Sequence, residues 1–214
     1  MTAITLWMSP GACSLAPHIL LHEIGATFNM VVAATSGGGT STDAFTRLNP
    51  KQRVPVLALG NEVITELPAI VTAISNLAPE RHLMGDTPLD TARVYEWMNW
   101  LSGTLHGQGF GGLWRPHRFS DDPAAFDSII AKARKTIAEC YDMIEDRLDG
   151  PCSTGGAFTA VDPFLLVFHR WGGLIGMEME RRYPRYSAFA VAISERASVS
   201  SALLAENALR TAQS

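Results

Sequence analysis

Apolar and polar residues are arranged differently along the two parts of the chain. Over about the first 80 residues, short apolar runs typical of strands are separated by segments with helical spacing. The predicted elements are a strand at 3–8, a helix at 13–24, a strand at 27–33, a helical turn near Phe45, strands at 54–59 and 62–66, and a helix from Pro68 to about Leu77. Gly60 and Asn61 separate the last two strands, which is typical of a β-hairpin.

After a loop at 78–88, the apolar positions recur almost wholly at helical spacing. Thr87 and Asp90 flank Pro88 with the spacing expected at a helix N-terminus. A core stripe with helical spacing then consists of Val94, Met98, Leu101 and Leu105. Further helices are predicted from about Pro123 to Leu148, over the apolar and therefore buried segment 158–171, and over two segments nearer the C-terminus.

These patterns predict an α/β domain of thioredoxin type at residues 1–80 and an all-α helical domain at residues 88–214. A net charge of −4 without a basic stretch argues against nucleic-acid binding. No apolar run approaches the roughly 20 residues that span a membrane. Three widely spaced cysteines, and a start that lacks the features of a signal peptide, predict a cytoplasmic protein without disulfides.

The sequence around Cys13 places a thiol between a strand and a helix. Pro10 and Gly11 predict a tight turn, and the free N–H groups at the start of the helix should lower the pKa of a nearby thiol. Cys13 is therefore a candidate catalytic residue, and Ser14 is a candidate to assist or replace it. Two alternatives stay open: a buried cysteine that acts as a small apolar side chain, and a serine that caps the helix.

Two more segments of the first part are candidates for ligand binding. Val54 must be extended because Pro55 follows it, which suits either pairing with a peptide-like ligand or an ordinary strand entry. Glu66 precedes a helix N-terminus and can accept a hydrogen bond from an amine, or it is simply an acid near a helix start. His18 and His22 have metal-ligand spacing, but no nearby acid or cysteine completes a set, so no metal site is predicted.

In the helical part, Asn99, Gly103 and His106 fall at i, i+4 and i+7, which predicts a common face beside the core stripe. A polar face in that position is either the wall of a cleft or a solvent-facing stripe. His106 is the member of the group whose side chain can move a proton near neutral pH. His106 is therefore a second candidate catalytic residue.

Five segments together resemble the cytosolic glutathione transferases, and most closely their bacterial beta class. They are SPGACSLAPHILLHEIG, NPKQRVPVL, TELPAI, EWMNWLSGTLH and FTAVDPFLL, which begin at residues 9, 49, 65, 96 and 158. They occur in the order found in the family, and the resemblance covers nearly the whole chain. The resemblance implies the same two-domain fold, a homodimer, and glutathione as co-substrate.

The resemblance also implies roles for the candidate residues of the first part. Cys13 would face the glutathione sulfur. Val54, beside a cis Pro55, would pair its backbone with the cysteinyl part of glutathione. Glu66 would hold the γ-glutamyl amine.

For the helical part, the resemblance implies that Asn99 and His106 reach the sulfur region. Arg134 would match a basic residue that reaches over to the partner subunit. Phe110 and Trp114 would line the pocket of a small hydrophobic electrophile.

The chain departs from the family pattern at Leu67, where the family usually has a serine that holds the γ-glutamyl carboxylate by its hydroxyl and amide. Leu67 keeps only the amide, and Pro68 has no N–H, so we expect glutathione binding to lose about 1.5–3 kcal/mol. The leading hypothesis is a glutathione transferase. The alternatives are a glutathione-dependent thiol-disulfide reductase that uses Cys13, and a non-catalytic ligand-binding protein on the same scaffold.

Overall fold

A four-stranded sheet with three helices forms the first part of the molecule. The structure is a computed structural model that describes residues 3–154 and 156–211. The strands are β1 (Ile4–Met8), β2 (Asn29–Val32), β3 (Val56–Leu59) and β4 (Glu62–Thr65). The helices are α1 (Leu15–Glu23), α2 (Asp43–Leu48) and α3 (Leu67–Ser75). Their order along the chain is the predicted one.

The sheet has the strand order β2-β1-β3-β4, with β1 parallel to β2 and antiparallel to β3. Because α1 carries the chain back between β1 and β2, these two strands can run in parallel. The Gly60–Asn61 connection joins β3 to β4 as an antiparallel hairpin, as predicted. The register places Trp7 of β1 opposite Val56 of β3. The start of α1 therefore lies close to the segment that precedes β3.

Helices make up the second part. They are α4 (Pro88–Trp100), α5 (Gly111–Trp114), α6 (Phe126–Arg147), α7 (Val161–Leu174), α8 (Met179–Arg182), α9 (Pro184–Ser194) and α10 (Ala197–Thr211). The capping box at the start of α4 is present as predicted, since the Asp90 N–H donates to Thr87 Oγ1 at 3.1 Å and the Thr87 N–H donates to Asp90 Oδ2 at 3.0 Å. The predicted fold class, a thioredoxin-like sheet part followed by a mostly helical part, is confirmed.

A π-helical segment, Leu101–Phe110, connects α4 to α5 and was not predicted. The Gly111 N–H donates to the His106 carbonyl, which is the wider hydrogen bond of a π-helix. Gly109 lets this segment pack closely against α6, because a Cβ at this position would lie 2.9 Å from Ile137 Cγ1. Such wide turns occur frequently at functional sites.

Because of the π-helical segment, Asn99, Gly103 and His106 do not share one face as predicted. The regular α-helical repeat ends at Trp100, so residues beyond it fall out of phase with those before it. Asn99 and Gly103 are exposed, whereas His106 is half-buried against aromatic rings. The core stripe survives the change, because Leu101 and the other three predicted members are all buried.

The first helix packs against the helical part of the chain. Glu23, at the end of α1, accepts hydrogen bonds from the guanidinium of Arg196 and from Ser198 Oγ, the latter at 2.6 Å. A large hydrophobic core runs from the sheet into the helices, and a smaller cluster around Phe45 and Val54 lies beside it. In the described ranges, no one helix is both long and apolar enough to cross a membrane, although the bent pair α9–α10 meets that test by length and composition.

Candidate active site

Cys13 lies in the turn between β1 and α1, facing the segment that precedes β3. Its Sγ lies 3.6 Å from the Val54 carbonyl oxygen, to which the thiol donates. Val54 precedes the paired residues of β3, and the Val54–Pro55 peptide bond is cis. The thiol is only 5% exposed. The structure thus brings together Cys13, Val54 and Pro55, as the family resemblance implied.

Burial controls the protonation of Cys13. Desolvation raises the pKa of the thiol to about 12, against smaller lowering effects from the N–H groups of Cys13 and Ser14 and from the charge of Arg115. The prediction that the start of α1 lowers this pKa is therefore wrong, because the helix terminus contributes less than burial does. Cys13 is thus a buried, neutral thiol in this structure, and its catalytic role stays a prediction.

We predict that iodoacetamide alkylates Cys13 at pH 8 about a thousandfold more slowly than it alkylates free cysteine, because a pKa near 12 leaves so little thiolate. Peptide mapping by mass spectrometry over time measures the rate. The unfolded chain in denaturant is the control, in which Cys13 should react like a free thiol. A rate in the folded protein within tenfold of that control would contradict the prediction.

Ser14 braces the turn and does not face the site. Its Oγ donates to the Ser9 carbonyl and accepts from the Ser9 N–H, both at 3.1 Å, and the residue is fully buried. Its side chain makes no capping hydrogen bond to α1. Both predicted roles of Ser14, assisting the thiol and capping the helix, are therefore corrected to a structural one.

Glu66 stands at the N-terminus of α3 with a positive φ of 70°, a backbone conformation that residues other than glycine rarely adopt. Its exposed carboxylate pairs with Lys51 Nζ, which also donates to Thr65 Oγ1 at 2.8 Å. Its charge acts on both Cys13 and His106. The Leu67 side chain is 6% exposed and belongs to the core, so only its main chain remains for a ligand.

His106 reaches the site from the π-helical segment. Its ring lies 5.3 Å from the ring of Trp171 and 6.1 Å from that of Phe168, measured between centroids. Burial lowers its pKa to about 4, and the charges of nearby arginines act in the same direction. His106 is therefore neutral at pH 7, and the prediction that it changes protonation near neutral pH is wrong.

Phe110 and Trp114 occupy different places in one aromatic cluster. Phe110 is 0% exposed, between Trp114 at 4.8 Å and Trp171 at 4.9 Å, so it supports the site from behind and cannot line a pocket as predicted. Trp114 is 39% exposed and packs against Trp171 at 4.9 Å. Trp114 therefore has a free ring surface where an apolar substrate could lie.

The helical part holds Gly11, two residues before Cys13, by both of its main-chain groups. The Gly11 N–H donates to Glu206 Oε2 at 2.7 Å, and Trp171 Nε1 donates to the Gly11 carbonyl at 2.9 Å. Gly11 has a positive φ of 82°, and a Cβ there would lie 2.1 Å from the Arg210 guanidinium. No local pattern marks Glu206 as a partner of Gly11, because 195 residues separate the two.

For three predicted residues the role in the site stays a prediction. Asn99, Gly103 and Arg134 are exposed, and among residues 3–154 and 156–211 no hydrogen bond, ion pair or ring contact joins them to Cys13 or His106. Within the same ranges, no group of three or more His, Cys, Asp or Glu side chains is arranged to hold a metal ion.

The fold and the site define a class of protein: a thioredoxin-like part with a ligand site at the start of its first helix, faced by a helical part. The family model for the glutathione S-transferase N-terminal domain matches residues 2–76. Glutathione S-transferase GstA of Escherichia coli O157:H7 is 31% identical over 205 residues, which is 94% of this chain and 98% of that protein. The chain belongs to the glutathione S-transferase family and is a transferase of that family.

Solved structures agree with this assignment. A glutathione transferase homologue from Sulfitobacter, solved with bound glutathione, is 28% identical with a TM-score of 0.88, over 94% of this chain and 97% of that one. A bacterial beta class enzyme from Sphingomonas chungbukensis is 32% identical with a TM-score of 0.81, over 94% of this chain and 98% of that one. The predicted resemblance to the beta class is confirmed.

Proposed function

We propose that the chain conjugates glutathione to small electrophiles in the space bordered by Cys13, Val54, Glu66 and His106. The observation that carries the proposal is the convergence at the start of α1, where Cys13 contacts Val54 and both Glu66 and Arg115 act on its thiol. These groups come from four separate segments of the chain. The fold therefore assembles them, and local sequence alone does not.

Three parts of glutathione have suitable partners in this space. Val54 lies outside the sheet ladder, so its main chain is placed to pair with the cysteinyl part of glutathione. The exposed Glu66 carboxylate is a partner for the γ-glutamyl amine. The main chain at Leu67, the first residue of α3, is placed for the γ-glutamyl carboxylate.

The neutral state of Cys13 supports conjugation over thiol-disulfide exchange, because exchange requires the Cys13 thiolate. The glutathione sulfur is the nucleophile: its proton leaves to solvent, the sulfur attacks the electrophilic carbon, and the leaving group departs with the bonding electron pair. The N–H groups of Cys13 and Ser14 and the charge of Arg115, which favour a thiolate at Cys13, would favour one on glutathione in the same way. His106 stays neutral and orients this sulfur.

Calorimetric titration with glutathione tests the proposal. We expect saturable binding, weakened about tenfold in Glu66→Gln, because the neutral amide loses the charge that holds the amine. Glu62→Gln, at the exposed start of β4, is the matched control and should bind as the wild type does. An absence of binding at millimolar glutathione would overturn the proposal. Turnover of no electrophile above the uncatalysed rate would favour the non-catalytic alternative.

From the family we also infer a homodimer, in which the exposed Arg134 on α6 faces the partner subunit. We further infer a cytoplasmic location and two functional domains, at residues 1–80 and 88–214. Exposure of Arg134 supports its predicted role, since a side chain that serves a partner must be free of its own subunit. Sedimentation of the wild type measures the oligomeric state.

A further inference from the structure

Three arginines, Arg53, Arg115 and Arg118, lie close enough to the site for their charges to act on His106. Arg53 directly precedes Val54, whose carbonyl accepts the Cys13 thiol. Arg115 follows Trp114, the last residue of α5. The Trp114 ring packs against Trp171, whose Nε1 donates to the Gly11 carbonyl. Arg118 closes the short helical turn Pro116–Arg118 that follows. The first comes from the sheet part and the other two come from the helical part.

The charges of these three arginines act on the same part of the site. All three act on His106, Arg115 acts also on Cys13, and Arg53 and Arg115 both act on Arg118. In the part of the chain that the structure describes, none of the three has a carboxylate within 4.0 Å. Five other cations, Lys51, Arg93, Lys135, Arg181 and Arg196, each lie within that distance of an acid.

Three neighbouring cations without an acid repel one another, and the repulsion opposes folding of the free protein. An anion placed among them removes that repulsion, and the planar guanidinium is the side chain best suited to grip a carboxylate or sulfonate. The exposed rings of Trp114 and Phe119 lie next to Arg115 and Arg118 in the sequence. The Phe119 ring also lies close to α5, because a Cβ placed on Gly111 would be 3.8 Å from it. An apolar surface thus borders the charged one.

We propose that Arg53, Arg115 and Arg118 form a subsite for an anionic group on the second substrate, and that the preferred electrophile is an aromatic compound that carries a carboxylate or sulfonate. This proposal rests on the proposed transferase function and adds the substrate class. The exposed aromatic rings take the body of the substrate, and the arginines take its charge. The reacting carbon then lies toward Cys13 and the glutathione sulfur.

The test compares two conjugates that differ by one group, S-benzylglutathione and S-(4-carboxybenzyl)glutathione, by calorimetry with the full chain. We expect the carboxylated conjugate to bind the wild type about tenfold more tightly. Arg118→Gln should remove most of that preference and leave S-benzylglutathione binding unchanged, and Arg115→Gln should also remove most of the preference. Arg93→Gln, an exposed arginine paired with Glu96, is the matched control and should keep the preference.

The outcomes separate this proposal from the one on which it rests. Binding of S-benzylglutathione without a preference for the carboxylated form overturns the subsite and leaves the transferase function intact. If the arginine variants bind both conjugates more weakly by the same factor, the arginines contact a carboxylate of glutathione itself. That result also overturns the proposed subsite. If neither conjugate binds, both proposals fail.

Discussion

Replacing Trp171 by alanine is expected to lower the free energy of unfolding by about 3–5 kcal/mol, the range for removing a large buried aromatic side chain. The indole contacts the rings of His106, Phe110, Trp114 and Phe168, so its loss opens a cavity between α7 and the π-helical segment. It also removes the donor to the Gly11 carbonyl. Urea denaturation followed by far-UV circular dichroism measures the change.

Trp171→Phe separates the two contributions of the indole. The smaller ring keeps much of the packing but has no N–H, so the loss of the Gly11 hydrogen bond should dominate, at about 1 kcal/mol. Because that bond fixes the turn before Cys13, glutathione affinity should also fall in this variant. A variant as stable as the wild type, with the same affinity, would show that the Gly11 contact has no role.

Replacing Asp162 by alanine is expected to destabilise the fold by roughly 3 kcal/mol, because one buried and one partly buried N–H group lose their acceptor. The carboxylate accepts from the Ser153 N–H at 2.7 Å and from the Thr159 N–H at 2.6 Å, and it is fully buried at the start of α7. Asp162→Asn keeps one acceptor oxygen and should lose less. Thermal and chemical unfolding of both variants measure the difference.

The pH dependence of the Asp162 effect has a definite sign. Burial raises the pKa of this carboxyl above its ordinary value of 3.8, against the lowering effect of its hydrogen bonds. The folded state therefore holds the proton more tightly than the unfolded state, so stability falls as pH rises from the unfolded pKa to the folded one. The stability advantage of the wild type over Asp162→Asn should accordingly be larger near pH 3 than at pH 7. The opposite trend would contradict the pKa direction.

Local chemistry made much of the fold predictable. The capping box of Thr87 and Asp90 and the Gly60–Asn61 hairpin each depend on residues within a few positions of one another, and both occur as predicted. The π-helical segment was not predictable in this way, because its apolar positions also fit an α-helix. Its wider turn changed the position of His106 relative to Asn99.

The site was predictable in its members more than in their chemical states. Cys13, Val54 and Glu66 were recognisable from motifs in the sequence, and the structure brings them together. The pKa of Cys13 depends on how deeply distant segments bury it, and the start of α1 gives no information about that. Glu206 acts from the other end of the chain, where no motif marks it.

The hydrogen bonds to Gly11 have a consequence for how the molecule unfolds. Gly11 belongs to the sheet part, yet α7 and α10 supply the partners of both its main-chain groups. Melting of the helical part would leave these groups, and Glu23 at the end of α1, without their partners. The two parts are therefore one cooperative thermodynamic unit, and a fragment that ends near residue 80 would lack the support that shapes its own active-site turn.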